Sequence, residues 1–129
     1  MKQYVRLTTG LVLLGALVTG TPAATPGQTR EALVKATTFL QSLATEGGYL
    51  WSYSEDLKTR RGEEIATPSQ IWVQPPGTPS VGQSFLRAYS TTRDARHFDA
   101  AQAAALALVR GQLESGGWSY LIEFDPGKR

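Results

Sequence analysis

The chain has no cysteine. Disulfides therefore play no part in holding it together, and any folded domain relies on burial alone. His97 is the one histidine, so the Cys and His ligand sets of the common zinc and iron sites are also excluded. Carboxylates holding a hard cation stay open. Charge of one sign is lacking too. Thirteen Lys and Arg face eleven Asp and Glu, and two of the thirteen, Lys2 and Arg6, lie within the first six residues. Without those two the sides are equal, and there is no clustered basic face of the kind nucleic acid requires. Nor is there a stable membrane span. The longest apolar run, Leu11 to Val18, falls well short of the ~18 residues a spanning helix needs, and Gly15 interrupts it.

What the first residues do have is an order: Lys2 and Arg6, then the apolar run, then the small residues Ala23 and Ala24. This is the layout of a secretory signal peptide. It predicts a signal peptide over 1–24, cleavage after Ala23 or Ala24, and a secreted or periplasmic product. Residues 25–129 are then a single small domain.

Helical spacing dominates that domain. Leu33, Ala36, Phe39, Leu40 and Leu43 recur at three and four residues between Thr29 and Thr45, with Thr29 as the expected N-cap and Gly47-Gly48 as the stop. Thr78-Pro79 starts a second helix, the threonine oxygen capping and the proline taking a position that needs no N–H. Val81, Phe85, Leu86 and Tyr89 line one face of it. Asp94 caps a third helix with the stripe Phe98, Ala101, Ala105, Leu108 and Val109, widened by Ala104, Leu106 and Leu113 and ended by Gly116-Gly117. Its alanines permit close approach of helix axes, so the second and third helices are expected to form an antiparallel hairpin.

Between the first two helices, Gly48 to Ser80 shows no helical period and carries Tyr49, Trp51, Tyr53 and Trp72 among charges and prolines. A long irregular loop is expected there, with short extended pieces at Leu50–Tyr53 and Gln70–Gln74. One pattern occurs twice. EGGYLWSY at 46–53 and ESGGWSY at 114–120 each follow an apolar helical run with an acid, two glycines and aromatics. Either this is a helical repeat turning over at a shared rim, or two separate glycine stops have a core aromatic nearby.

These residues resemble the pectic acid lyases. The match is carried by Phe85-Leu86, Ala88-Tyr89, Arg93 to Phe98, the alanine- and leucine-rich run from Ala100 to Gln112, and Gly116-Gly117-Trp118, and it extends over residues 29–126. The resemblance implies an all-α fold, antiparallel helical hairpins of an incomplete α/α toroid. It also implies β-elimination on a polyuronate, with calcium as the cation. Two departures accompany it. Pro75-Pro76-Gly77-Thr78-Pro79 stands where the family has an Asp-Asn-Gly-Ala-Thr stretch, and the family's basic arginine belongs to a later part of its domain. The resemblance thus implies a shortened toroid at 25–129, inactive as an isolated chain, and assigns no catalytic residue.

Binding residues are read from side-chain chemistry. Arg60 and Arg61 suit carboxylates, and Glu55, Asp56, Glu63 and Glu64 suit a hard cation, unless TRRGEE is simply a solvated charged turn. Trp51, Tyr53, Trp72, Trp118 and Tyr120 suit the flat faces of sugar rings, with Gln74 orienting a ligand, unless the aromatics fill the core. His97 is expected at the surface, and Ser52, Ser54 and Ser119 lack a nucleophile setting. Two functions follow: a secreted polyuronate lyase relative acting on or binding acidic polysaccharide or oligosaccharide, or a non-catalytic carbohydrate-binding or helical scaffold module. Helical layers rely on neighbours for burial, so self-association through exposed helix faces is expected.

Overall fold

A computed structural model describes residues 23–129. The expected leader thus lies outside the described residues, apart from Ala23 and Ala24. Among the described residues no helix is long and apolar enough to cross a membrane.

Helix α1 spans Pro26–Leu43, and its cap is not the expected one. Thr25 accepts a hydrogen bond from the Gln28 amide while the Gln28 side chain returns one to the Thr25 amide, a reciprocal box that satisfies two free donors and places the cap four residues upstream of Thr29. Helix α2, Thr78–Thr92, begins where Thr78-Pro79 indicated, but Gly77 is its N-cap and no side chain caps it. Helix α3, Ala95–Arg110, has the expected cap, Asp94 accepting from the Arg96 amide at 3.1 Å. It stops at Gly111, short of Gly116-Gly117. Arg93, in the left-handed region, turns α2 into α3, and these two helices form the main helical contact.

The all-α expectation is overturned. The supposed loop holds β1, Ser52–Tyr53, β2, Arg60–Arg61, and β3, Gln70–Trp72, while β4, Leu121–Glu123, follows the second glycine pair. They pair antiparallel, β1 with β2 and β3 with β4, as two small sheets, so the chain is a mixed α and β domain and not a run of toroid hairpins. Each strand is too short to show alternation, and Ile71 pairs with Ile122 far along the chain, where no local pattern connects them.

The two glycine motifs also diverge. In the first, Thr45 and Gly48 exchange both backbone hydrogen bonds across Glu46 and Gly47, which have φ of 52° and 88°. Two left-handed residues in succession make a tight hairpin turn, and a Cβ on Gly47 would lie 2.5 Å from the Ala103 carbonyl oxygen, so the turn seats directly on α3. In the second, Gly116 turns the chain at φ 85° in open space. Tyr49 after the first is buried in the core, whereas Trp118 after the second is largely exposed. A shared rim is therefore not formed: one copy leads into β1 and the other into β4.

Three apolar clusters hold the fold. Tyr49, Phe85, Ala100, Ala101 and Ala104 join α2 and α3, with Leu40 and Ala44 packed against them from α1 and the turn after it. Ile71, Ala107 and Ile122 fix the β3–β4 sheet to α3. Leu50, Ala66 and Trp72 form the third, flanked by Trp51, Tyr53 and Leu121. The buried stripe of α3 is His97, Ala100, Ala101, Ala104 and Ala107, rotated from the expected one, so Phe98, Ala105 and Val109 face outward. Close approach explains the rotation: small residues let the axes meet, and the larger ones are left outside.

Candidate functional site

The β3–β4 register sets the site. Trp72 lies opposite Leu121 and Gln70 opposite Glu123, while the Val73 amide donates to the Tyr120 carbonyl at 2.7 Å. Trp72 rests on Gly62, where any Cβ would come within 2.2 Å of the indole. Trp51 meets Trp72 edge to face at 5.6 Å. Gln74 receives both indole N–H groups, Trp51 on its carbonyl at 2.9 Å and Trp72 on its side-chain oxygen at 3.3 Å. The structure thus brings Trp51, Trp72 and Gln74 together, but largely facing inward, with Trp72 only 4% exposed.

Tyr53 completes that cluster. Its hydroxyl accepts from the Leu50 amide at 3.1 Å, and burial pushes the phenol up. The Arg60 guanidinium lies 6.0 Å over its ring and donates to the Thr45 hydroxyl. Arg61 is exposed, its carbonyl accepting from the Trp51 amide. Arg60 and Arg61 are successive residues of β2, so their side chains leave opposite faces of the strand and do not act as a pair.

Beside this cluster, between the end of α3 and β4, lies an open cleft of about 460 Å³ lined in part by Arg110, Gln112, Ser119, Leu121, Glu123 and Arg129. Leu121 belongs to both cleft and aromatic cluster. Arg110 and Arg129 each place a guanidinium carbon 5.8 Å from the centre of the Phe124 ring. Arg110 is steadied by the Glu46 carboxylate at 3.5 Å and by the Glu46 carbonyl; Arg129 donates its Nε–H to the Glu123 carbonyl at 2.7 Å. Hydrogen bonds from the Ser69 hydroxyl, the Asp125 amide and the Gln70 side chain hold the Glu123 carboxyl below the usual range. Glu114 also lines the cleft.

Trp118 and Tyr120 lie on the strand-entry segment at this cleft, 43% and 62% exposed. The Trp118 indole N–H donates to the Leu108 carbonyl at 2.8 Å, so an exposed ring is tethered to the end of α3. Of the residues singled out from sequence, none lines the cleft itself: Trp118 and Tyr120 alternate along the chain with the lining residues Ser119 and Leu121, and Trp51, Tyr53, Trp72 and Gln74 reach it only through Leu121. Arg110, Glu123, Phe124 and Arg129 were missed. The signal available was faint: Arg110 is the first charge after the uncharged run that follows Asp99.

The charged loop does not gather its acids. Asp56 accepts from the Ser54 hydroxyl at 2.6 Å and the Lys58 amide at 3.2 Å, which lower its carboxyl, and among the described residues no group of three or more acids or histidines is placed to hold a metal ion. Among the described residues the calcium implied by resemblance therefore finds no cluster of three such side chains to hold it.

His97 corrects another expectation. It is fully buried, its Nδ1 2.9 Å from the Thr37 hydroxyl, with Nε2 lacking a partner among the described residues. Thr37 on α1 thus reaches the first turn of α3 at His97. The pair joins the two helices and does not open onto the cleft.

No protein-family model, curated protein or solved structure matches the chain in comparisons with each.

Proposed function

We propose that this chain is an exported binding protein for acidic oligosaccharides, of the polyuronate class, that engages its ligand at the cleft between α3 and β4. The observation that supports this most is a cleft lined by Arg110 and Arg129 and entered by the segment that carries Trp118, whose N–H is tethered to the end of α3 one residue before Ser119 joins the lining. Uronates combine an apolar ring face with a carboxylate. The indole suits the first and a planar guanidinium suits the second, and neither side chain needs much reorganisation on binding.

Binding is favoured over β-elimination by the state of Glu123. Proton abstraction needs a group whose pKa lies near the working pH. Three hydrogen-bond donors hold Glu123 ionised and lower its basicity, so it serves the architecture of the cleft better than it would serve as a base. The resemblance to pectic acid lyases supports the ligand class, not a catalytic step.

Calorimetry with oligogalacturonates and with neutral oligosaccharides of equal length tests the reading. Binding of the acidic series, weakened by salt and lost in Trp118→Ala and Arg129→Ala, is expected. Equal affinity for neutral sugars, or none for either, would refute it. Growth of unsaturated-uronide absorbance would replace it with the lyase reading.

A further inference from the structure

Helix α3 presents a face that no described element covers. With His97, Ala100, Ala101, Ala104 and Ala107 turned inward, the outer side carries Phe98, Ala105, Leu106 and Val109, and Leu106 and Val109 are 46% and 63% exposed. Between Asp99 and Arg110 the helix has no charged residue, and α2 has none from Thr78 to Leu86. A groove of about 220 Å³ separates the helices on this side, lined by Gly82, Leu86, Ala101, Ala104, Ala105 and Leu108. Gly82 lets the helices close on each other, since a Cβ there would lie 3.2 Å from that of Ala104. A helix face in water is ordinarily polar or charged. Depletion of charge around large apolar side chains marks the centre of an interface instead.

The charges at the two ends of this face indicate the partner. Asp99 and Arg110 are eleven residues apart, about three turns of helix, so they fall on the same side of α3. We propose that a second copy of this chain docks here, α3 against α3, antiparallel about a two-fold axis near Ala105. That arrangement sets Asp99 of each copy beside Arg110 of the other, with the uncharged stretch meeting itself between them. A two-fold contact requires such self-complementarity, and a parallel pairing would oppose like charges. Asp99 has no ion-pair partner among the described residues. Arg110 holds Glu46 through Nη2 alone and has N–H donors left for a second carboxylate. The apolar residues supply the affinity, and the charges fix direction and register.

Sedimentation of the purified chain across a concentration series, without saccharide, tests this. A monomer–dimer equilibrium is expected, with Leu106→Glu and Val109→Lys both monomeric and unchanged in helical circular dichroism. Asp99→Arg is expected to weaken the dimer about tenfold. Asp99→Arg combined with Arg110→Asp restores it. A chain monomeric throughout overturns the proposal, as does an assembly indifferent to these substitutions, which is how association through the apolar leader would behave. Failure to rescue in the double variant overturns the antiparallel arrangement. Arg110 also lines the cleft, so the series is run without saccharide, and the Leu106 and Val109 variants, which lie outside the cleft, test the dimer apart from ligand binding.

Discussion

Thr78→Val removes one oxygen and changes the side-chain volume hardly at all. Thr78 is fully buried at the start of α2, and its hydroxyl accepts from the Tyr49 amide at 2.9 Å while donating to the Tyr49 carbonyl at 3.1 Å. This clamp fastens the turn after α1 to the first turn of α2, and so sets the course of Leu50 and Trp51 into the aromatic cluster. Valine fills the same space, so no cavity term enters. The Tyr49 carbonyl keeps a second partner, the Trp72 amide at 2.9 Å, but the Tyr49 N–H keeps none. A buried donor left unpaired costs about 1–3 kcal/mol, and adding the net value of the lost bonds gives a destabilisation of about 2–3 kcal/mol. For a domain of this size that lowers Tm by about 10–20 °C. Urea titration, followed by tryptophan fluorescence and by circular dichroism with m held constant, measures the loss directly. Thr78→Ser retains the hydroxyl and gives up only a methyl group, so about 1 kcal/mol is expected from it. Should the valine variant lose no more than the serine variant, the clamp is not a buried hydrogen-bonded joint and the reasoning fails.

Gly62→Ala drives a methyl group into the Trp72 ring at 2.2 Å and is expected to cost about 1–3 kcal/mol, with Trp72 emission moving to longer wavelength; an unshifted spectrum and an unchanged midpoint would contradict the packing. Thr37→Val leaves both ring nitrogens of His97 without partners and is expected to cost about 1–3 kcal/mol, whereas Thr37→Val with His97→Leu removes the polar pair altogether and costs less, so a double variant worse than the single refutes the pairing. Acid stability follows Asp94, whose carboxyl is held at about 2 chiefly by hydrogen bonds from the Arg96 side chain and amide. A depressed carboxylate contributes fully above its unfolded value of about 3.9, and the contribution is lost as pH falls through the folded value. Melting temperature is therefore expected to drop between about pH 4 and pH 2, and less steeply in Asp94→Ala; identical profiles would dissociate that carboxylate from the effect.

Local signals were legible. The three helices, the Asp94 cap, the start of α2 and the extended character of Leu50–Tyr53 and Gln70–Gln74 could all be read from neighbours a few residues apart. What could not be read depended on distant partners. Leu121–Glu123 is three ordinary residues until Gln70–Trp72 is placed beside it. His97 looks exposed in a run of Arg, Phe and Asp because Thr37, its hydrogen-bond partner, is remote in sequence. The α3 stripe was right at Ala101 and Ala104 but centred too far toward its larger residues, since the structure also buries Ala100 and Ala107 and leaves Phe98 and Val109 outside. At the cleft, aromatics were recognisable by type. The arginines were not, because Arg110 and Arg129 converge only through Phe124.

The pairing of β3 with β4 also dictates an order of events. A polypeptide emerging from a ribosome can wind its helices from neighbouring residues, but Ile71 must wait for Ile122, which follows it far along the chain. Until then the strand at Gln70–Trp72 offers an open edge to whatever is nearby, and Trp72 lacks the Leu121 side of its enclosure. Closure of the β3–β4 sheet therefore comes after the helices that precede β4 have been made. The interval before it is when the nascent molecule is most exposed to mispairing with its siblings or to a protease.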